Sequence, residues 1–324
     1  MNERLKSRTL RREIGQYGWA LLIYYLILNY AVVFVCEIDL LSRGLQAVVR
    51  SDNWSAFESG IMDSMEEVLY GNGWGYIAAC VVSVALIPLW KGKRFFNSVF
   101  EAKQDMTGKA FLGLLCLFLS GQMVFQILAM IEESILNLFG LSILESMEMA
   151  SAGADTFSMF LYMGLGAPIV EEIVFRGVIL DGLKPYGKGF AITASAVLFG
   201  IFHGNLVQSP YAFVVGLILG YTAMEYSILW AMVLHMLNNL VLGDMLTRLT
   251  SFWPGYWADL FFGGIILASS IAGVVVLIRS RHKIRSYIQT NAMDSQYLKA
   301  FFTSVPNIIL AVIMTLSAVS MLFL

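Results

Sequence analysis

Charge is scarce in this chain of 324 residues: Asp, Glu, Lys and Arg make up only 14% of it, roughly half the share of a soluble domain. Beside 58% hydrophobic residues and a mean hydropathy of +0.72, that scarcity excludes a soluble enzyme, a disordered chain and a collagen-like fibre. Cysteine is almost missing. Cys36, Cys80 and Cys116 have no paired spacing, so they build neither a disulfide framework nor a CxxC metal site and read as small apolar packing residues. The net charge of −2 offers no basic surface for a nucleic acid partner. Internal repeats, low-complexity tracts and linkers are also lacking. So are short alternating strands of about ten residues, which argues against an outer-membrane barrel.

What the chain has instead is apolar runs of roughly 16 to 25 residues, close to the ~20 that cross a bilayer as a helix. They predict an all-α, polytopic transmembrane helical bundle of about nine spans, with eight to ten as the range. The runs lie at 17–35, 74–90, 110–131, 157–180, 189–206, 210–225, 227–243, 259–278 and 300–324. The first follows the basic segment MNERLKSRTLRR, is long for a signal-peptide core and has no small-residue cleavage site after it, so it reads as a retained anchor.

Charge orders the spans. Arg4, Lys6, Arg8, Arg11 and Arg12 precede the first, and Lys91, Lys93 and Arg94 follow the second. Lys184 and Lys188 follow the fourth, and Arg279, Arg281, Lys283 and Arg285 follow the eighth. Alternating spans put all four clusters on one side, which the positive-inside bias makes cytoplasmic, along with the N-terminus. The segment 132–155 carries Glu132, Glu133, Glu145, Glu148 and Asp155 with no Lys or Arg and belongs to the other side. A loop is expected over 36–73, with Glu58, Asp63, Glu66 and Glu67 and a short amphipathic surface helix. One membrane domain is the default reading. It divides into an N-terminal region 1–156 with about three spans, a core 157–245, and a C-terminal region 246–324 with about two.

Ionisable groups in hydrocarbon are costly and mark functional sites. Here they concentrate between 171 and 239. Glu171, Glu172 and Arg176 lie in the fourth span, His203 in the fifth, and His235 and Asn239 in the seventh. The third histidine, His282, sits in the basic RSRHKIR segment and reads as solvated. Glu172 and Arg176 are i and i+4 with the acid first, the favourable order for an ion pair. Glu171 is turned about 100° away and has no partner on its own helix, so it suits a general base. His235 and Asn239 share a helix face, as do Phe199 and His203. Counted from a turn near Gly187, Glu171 is 16 residues before and His203 16 after, which sets them at one depth. His235 and Asn239 fall one to two turns shallower by the same count, a gap that a kink at Pro168 could close. Gly200, Gly204, Gly216 and Gly220 allow close helix approach.

These groups admit four readings. In a peptide-hydrolysing site, Glu171 and His203 would deprotonate a water while His235 and Asn239 donate to the oxyanion. In a metal site, Glu171, His203 and His235 would bind zinc, although the HExxH signature is missing. A transporter could relay protons through them. As structure alone, they would be interhelical hydrogen-bond glue.

The order of the motifs resembles a known family. Glu171-Glu172-Ile-Val-Phe-Arg176 matches EExxxR, Phe199-Gly-Ile-Phe-His203 matches FxxxH, and His235-Met-Leu-Asn-Asn239 matches HxxxN. Together they look like the motifs of the CAAX protease and bacteriocin-processing (CPBP, or Abi) family, intramembrane endopeptidases related to the Ras-converting CAAX endopeptidase. The stretch Ser227–His235 is similar to the family's approach to its third motif. The resemblance covers about 160–245, roughly a quarter of the chain. It implies that Glu171 and His203 activate water, that His235 and Asn239 form an oxyanion hole, and that Glu172 and Arg176 support them. Phe199 is expected to pack beside His203. No cofactor is implied by the family's glutamate-protease reading; zinc on Glu171, His203 and His235 is the lesser alternative. The expected substrate is a membrane-associated or hydrophobic peptide, and the expected place a bacterial cytoplasmic membrane. A non-cutting scaffold or bacteriocin-immunity protein is the first rival, and a proton-coupled transporter the second.

Overall fold

The computed structural model describes residues 3–144 and 156–323. Glu145, Glu148 and Asp155 lie outside the described residues, as do the side chains of Arg4, Lys6 and Glu66. Every regular element among the described residues is helical. Four helices are long and apolar enough to cross a membrane: Ser7–Ser51, Glu67–Lys91, Gly108–Phe139 and Gly255–Thr290. A fifth crossing is available if Ser295–Phe302 and Val305–Ser320, bent by 58°, count as one span. The chain is a multi-pass membrane protein.

The other four expected spans fall on shorter or interrupted helices, and these build the centre. Phe157–Leu161 runs through a π-helical segment, Tyr162–Gly166, into Ala167–Glu172 and a second π segment, Ile173–Leu180. After a turn at Gly187 come Lys188–Phe202 and Gln208–Glu225. Ile228–Met236 then continues into a third π segment, Leu237–Met245. Each π segment contains glycine, which weakens the regular helix locally. π turns are rare and recur at functional sites, because they displace the backbone ladder. The hydroxyl of Ser195 donates to the Phe175 carbonyl within the second one, at 2.7 Å. Around these helices Phe175, Phe190, Leu198, Phe199, Leu219 and Leu234 are fully buried, while Gly255–Thr290 buries only Gly273.

Three expectations are revised. Residues 36–51 are not loop: the first helix runs unbroken over Glu3–Ser51, 49 residues or about 74 Å, far more than a hydrocarbon core of about 30 Å needs. Its extension is held by an i, i+4 pair, Asp39–Arg43 at 3.2 Å, and by Arg43 reaching Glu67 with two bonds of 2.9 and 3.0 Å. Two short helices, Ala56–Met62 and Met65–Gly71, pack back along it. The helix over 189–206 stops early, with His203 as its C-cap and Gly204 at a φ of +55°, where a left-handed turn favours glycine. Within 300–324 the chain breaks at Thr303 and Ser304 between two helices.

Polar ties gather the basic clusters at one end of the bundle. Tyr186 donates to Glu13 at 3.0 Å, and Lys91 sits 4.7 Å from the Tyr17 ring. Glu225 accepts from both Lys188 and Tyr287, at 2.7 Å each.

Candidate active site

The centre of the site is a carboxylate shared by an arginine and a histidine. Glu172 Oε1 accepts from Arg176 Nη1 at 2.9 Å and lies 2.9 Å from His235 Nδ1. The side chains of Glu172 and Arg176 are both 0% exposed. The i, i+4 pair therefore forms, and a residue 63 positions away joins it. Because an ionised carboxylate can only accept, His235 carries its proton on Nδ1 and turns Nε2 outward. That nitrogen stands 3.7 Å from Glu171 Oε2, too far for a hydrogen bond. Glu171, at 20% side-chain exposure, is the reachable carboxylate of the two.

Phe199 is a hub. Its ring lies 4.3 Å under the Arg176 guanidinium, 4.8 Å from the His203 ring and 5.8 Å from the His235 ring, edge-on to both histidines. A desolvated cation over an aromatic face is worth about 2 kcal/mol. Truncation to Phe199→Ala should cost about 3–5 kcal/mol of stability, as for other buried aromatics. Chemical denaturation of purified protein checks this, and a change below about 1 kcal/mol would contradict it. Gly216 makes the crossing possible. A Cβ there would come within 3.2 Å of both Phe199 and Ala196, and its carbonyl accepts from Arg176 Nη2 at 3.3 Å.

His203 Nδ1 lies 2.8 Å from the Phe199 carbonyl of its own helix. A carbonyl only accepts, so Nδ1 holds the proton and Nε2 is left open. The ring is within electrostatic reach of Glu171, His235 and Arg176. Asn239 behaves differently. Its amide donates to the Met163 carbonyl at 3.2 Å, which ties the third π segment to the first, and its Oδ1 accepts from Asn238 at 3.1 Å.

These groups sit on the part of the chain that a family model matches. Residues 153–241 match the family model described as type II CAAX prenyl endopeptidase Rce1-like. Over this stretch, about a quarter of the chain, the protein is similar to the CAAX-protease family. No curated protein and no solved structure matches it. All three motifs, from Glu171 to Asn239, fall inside the matched stretch.

Residues beyond the three motifs also reach the site, Tyr24 and Cys80 from outside the matched stretch. Tyr24 of the first helix and Cys80 of the Trp74–Lys91 helix, 6% and 5% exposed, are within electrostatic reach of Glu171, as is Tyr162. Gln122 donates to Tyr211 and to Asn238, at 2.9 Å each, so a helix outside the matched stretch braces the neighbour of Asn239. The only signal for these in the sequence is a polar residue within an apolar run. Arg176 also lines a polar cavity of about 380 Å³ with Glu101, Lys103, Asp181 and Lys184, on the basic end of the bundle. Among the described residues no three His, Cys, Asp or Glu side chains converge as a metal-holding set.

Proposed function

We propose that this protein is an intramembrane endopeptidase that hydrolyses a peptide bond in a membrane-associated or hydrophobic peptide. The observation that carries this reading is the division of labour between adjacent carboxylates inside the stretch similar to the CAAX-protease family. Glu172 is sealed and neutralised by Arg176, while Glu171 is reachable and faces His235 across 3.7 Å. In the proposed reaction Glu171, helped by the open Nε2 of His203, takes a proton from water as its oxygen adds to the scissile carbonyl carbon. In this reading His235 takes a second proton from solvent before the attack, so that Glu171, Glu172, Arg176 and His235 sum to zero net charge and its Nε2–H donates to the developing oxyanion. Asn239 adds its second amide N–H. When the C–N bond breaks, the proton held by Glu171 passes to the leaving amine.

The same reading takes the chain as crossing the cell membrane about nine times with its N-terminus in the cytoplasm, supported by the basic clusters meeting at one end. The site residues account for the chemistry without a cofactor.

Asn239→Ala should lower turnover by about 10²-fold, the scale for one oxyanion donor, with KM nearly unchanged. A rise in KM at constant kcat would make Asn239 a binding group instead. The whole reading is tested by comparing membrane peptidomes from cells making wild type or Glu171→Gln at matched levels. A peptide terminus present only with the wild type supports proteolysis and names the substrate. Identical peptidomes, with a cellular phenotype kept by the variant, would favour a scaffold that binds without cutting.

A further inference from the structure

A second site lies on the basic end of the bundle, where the first helix meets the break before the last one. A cavity of about 460 Å³ is lined there by Arg8, Arg11, Arg12 and Trp19 on one side and by Thr303 and Ser304 on the other. On a helix the four first-helix residues fall within one stripe about 100° wide. All three arginines are exposed, and no carboxylate among the described residues lies in ion-pair range of them. This is an uncompensated positive patch facing a concave surface.

The opposite wall presents the start of a helix. Val305–Ser320 is a helix of 16 residues with Ser304 as its N-cap, yet the Ser304 side chain makes no capping bond. Pro306 has no N–H, so Val305 and Asn307 carry the N–H groups left without an acceptor within the helix, and the positive end of the helix dipole points out of that end. Ser304 is 2% exposed, and its hydroxyl is buried without a hydrogen-bond partner among the described residues. A serine at an N-cap ordinarily caps; this one is left over, beside three guanidinium groups. Trp19, 51% exposed, is about 10 Å further along the helix than Arg12. That spacing suits an indole at the headgroup boundary with the arginines among the headgroups.

We propose that this cavity binds the phosphate of an anionic phospholipid from the adjoining leaflet. The guanidinium groups and the Ser304 hydroxyl donate to the phosphate oxygens, and the lipid's glycerol and upper acyl chain lie against Trp19. The lipid bridges the first helix to the last and is independent of the hydrolytic site.

The test is native mass spectrometry of the full-length protein released from micelles holding equal amounts of phosphatidylglycerol and phosphatidylcholine. Wild type should retain phosphatidylglycerol over phosphatidylcholine by about tenfold or more, since each juxtamembrane arginine contributes about fivefold. Arg8→Gln/Arg11→Gln/Arg12→Gln should bring the ratio to about one. Should that variant not fold, Ser304→Ala removes a hydroxyl with no protein partner and should lower the ratio severalfold with the fold intact. Equal retention of the two lipids by wild type would overturn the proposal, and so would a ratio unchanged in these variants. Excess inorganic phosphate in phosphatidylcholine micelles separates the sources. Phosphate retained on the protein as strongly as phosphatidylglycerol would make this a free-anion site, and the lipid assignment would fall.

Discussion

Replacing Glu171 with glutamine should lower peptide-bond turnover by about 10²–10⁴-fold, the range for loss of a positioned general base, and leave the melting temperature almost unchanged. The two halves of this expectation have separate physical grounds. Glutamine keeps the shape and volume of the side chain and loses only its ability to take a proton. Among the described residues Glu171 makes no short hydrogen bond; His235 Nε2 stands 3.7 Å from it. Little native-state energy is therefore invested in its charge, and little is lost with it. Turnover by purified protein and a thermal melt of the same sample decide the matter. Undiminished turnover would remove Glu171 from the chemistry. Loss of folded protein alongside activity would instead put Glu171 with the structural groups, and the division between the two glutamates would fail.

How much of this was readable from the residues depends on how far each interaction reaches. The Glu172–Arg176 pair is local, and helix spacing with burial cost is enough to predict it. The bond from His235 to Glu172 joins two helices 63 positions apart, and a single-helix face cannot show it. Sequence reasoning thus supplied His235 and Glu172 as members of one region but not as partners. The π segments are invisible for another reason: they alter the period on which face assignments rest. Asn239 was placed on the face of His235 by an i, i+4 count, yet it lies in the third π segment and bonds to Met163. The long first helix was missed because hydropathy reports burial in lipid, not helicity. Asp39 and Arg43 lower the first and support the second. Gln122, Tyr24 and Cys80 reach the site from runs that carried no motif, so only the packing of the helices reveals them.

Glu172→Ala should destabilise the protein by about 3–5 kcal/mol, the cost of leaving a buried charge without its partner. Here two groups are stranded rather than one, because Glu172 Oε1 holds both Arg176 and His235. An unchanged melting temperature would show that the pair carries no structural role. Loss of activity in this variant alone would not tell a structural group from one that positions His235. A compensated variant separates them. Glu172→Leu/Arg176→Met replaces both charges with apolar side chains of similar bulk, which is often neutral or stabilising for a buried pair. It should recover most of the stability, yet it leaves His235 Nδ1 without its acceptor, so turnover should stay low. Glu172→Gln keeps an acceptor oxygen for that N–H while weakening the ion pair, so it should retain more activity than the more stable double variant. That inversion of order, lower stability with higher turnover, is the mark of a positioning residue. Full activity in the double variant would show instead that His235 needs no help from Glu172, and the sealed carboxylate would then serve the fold alone.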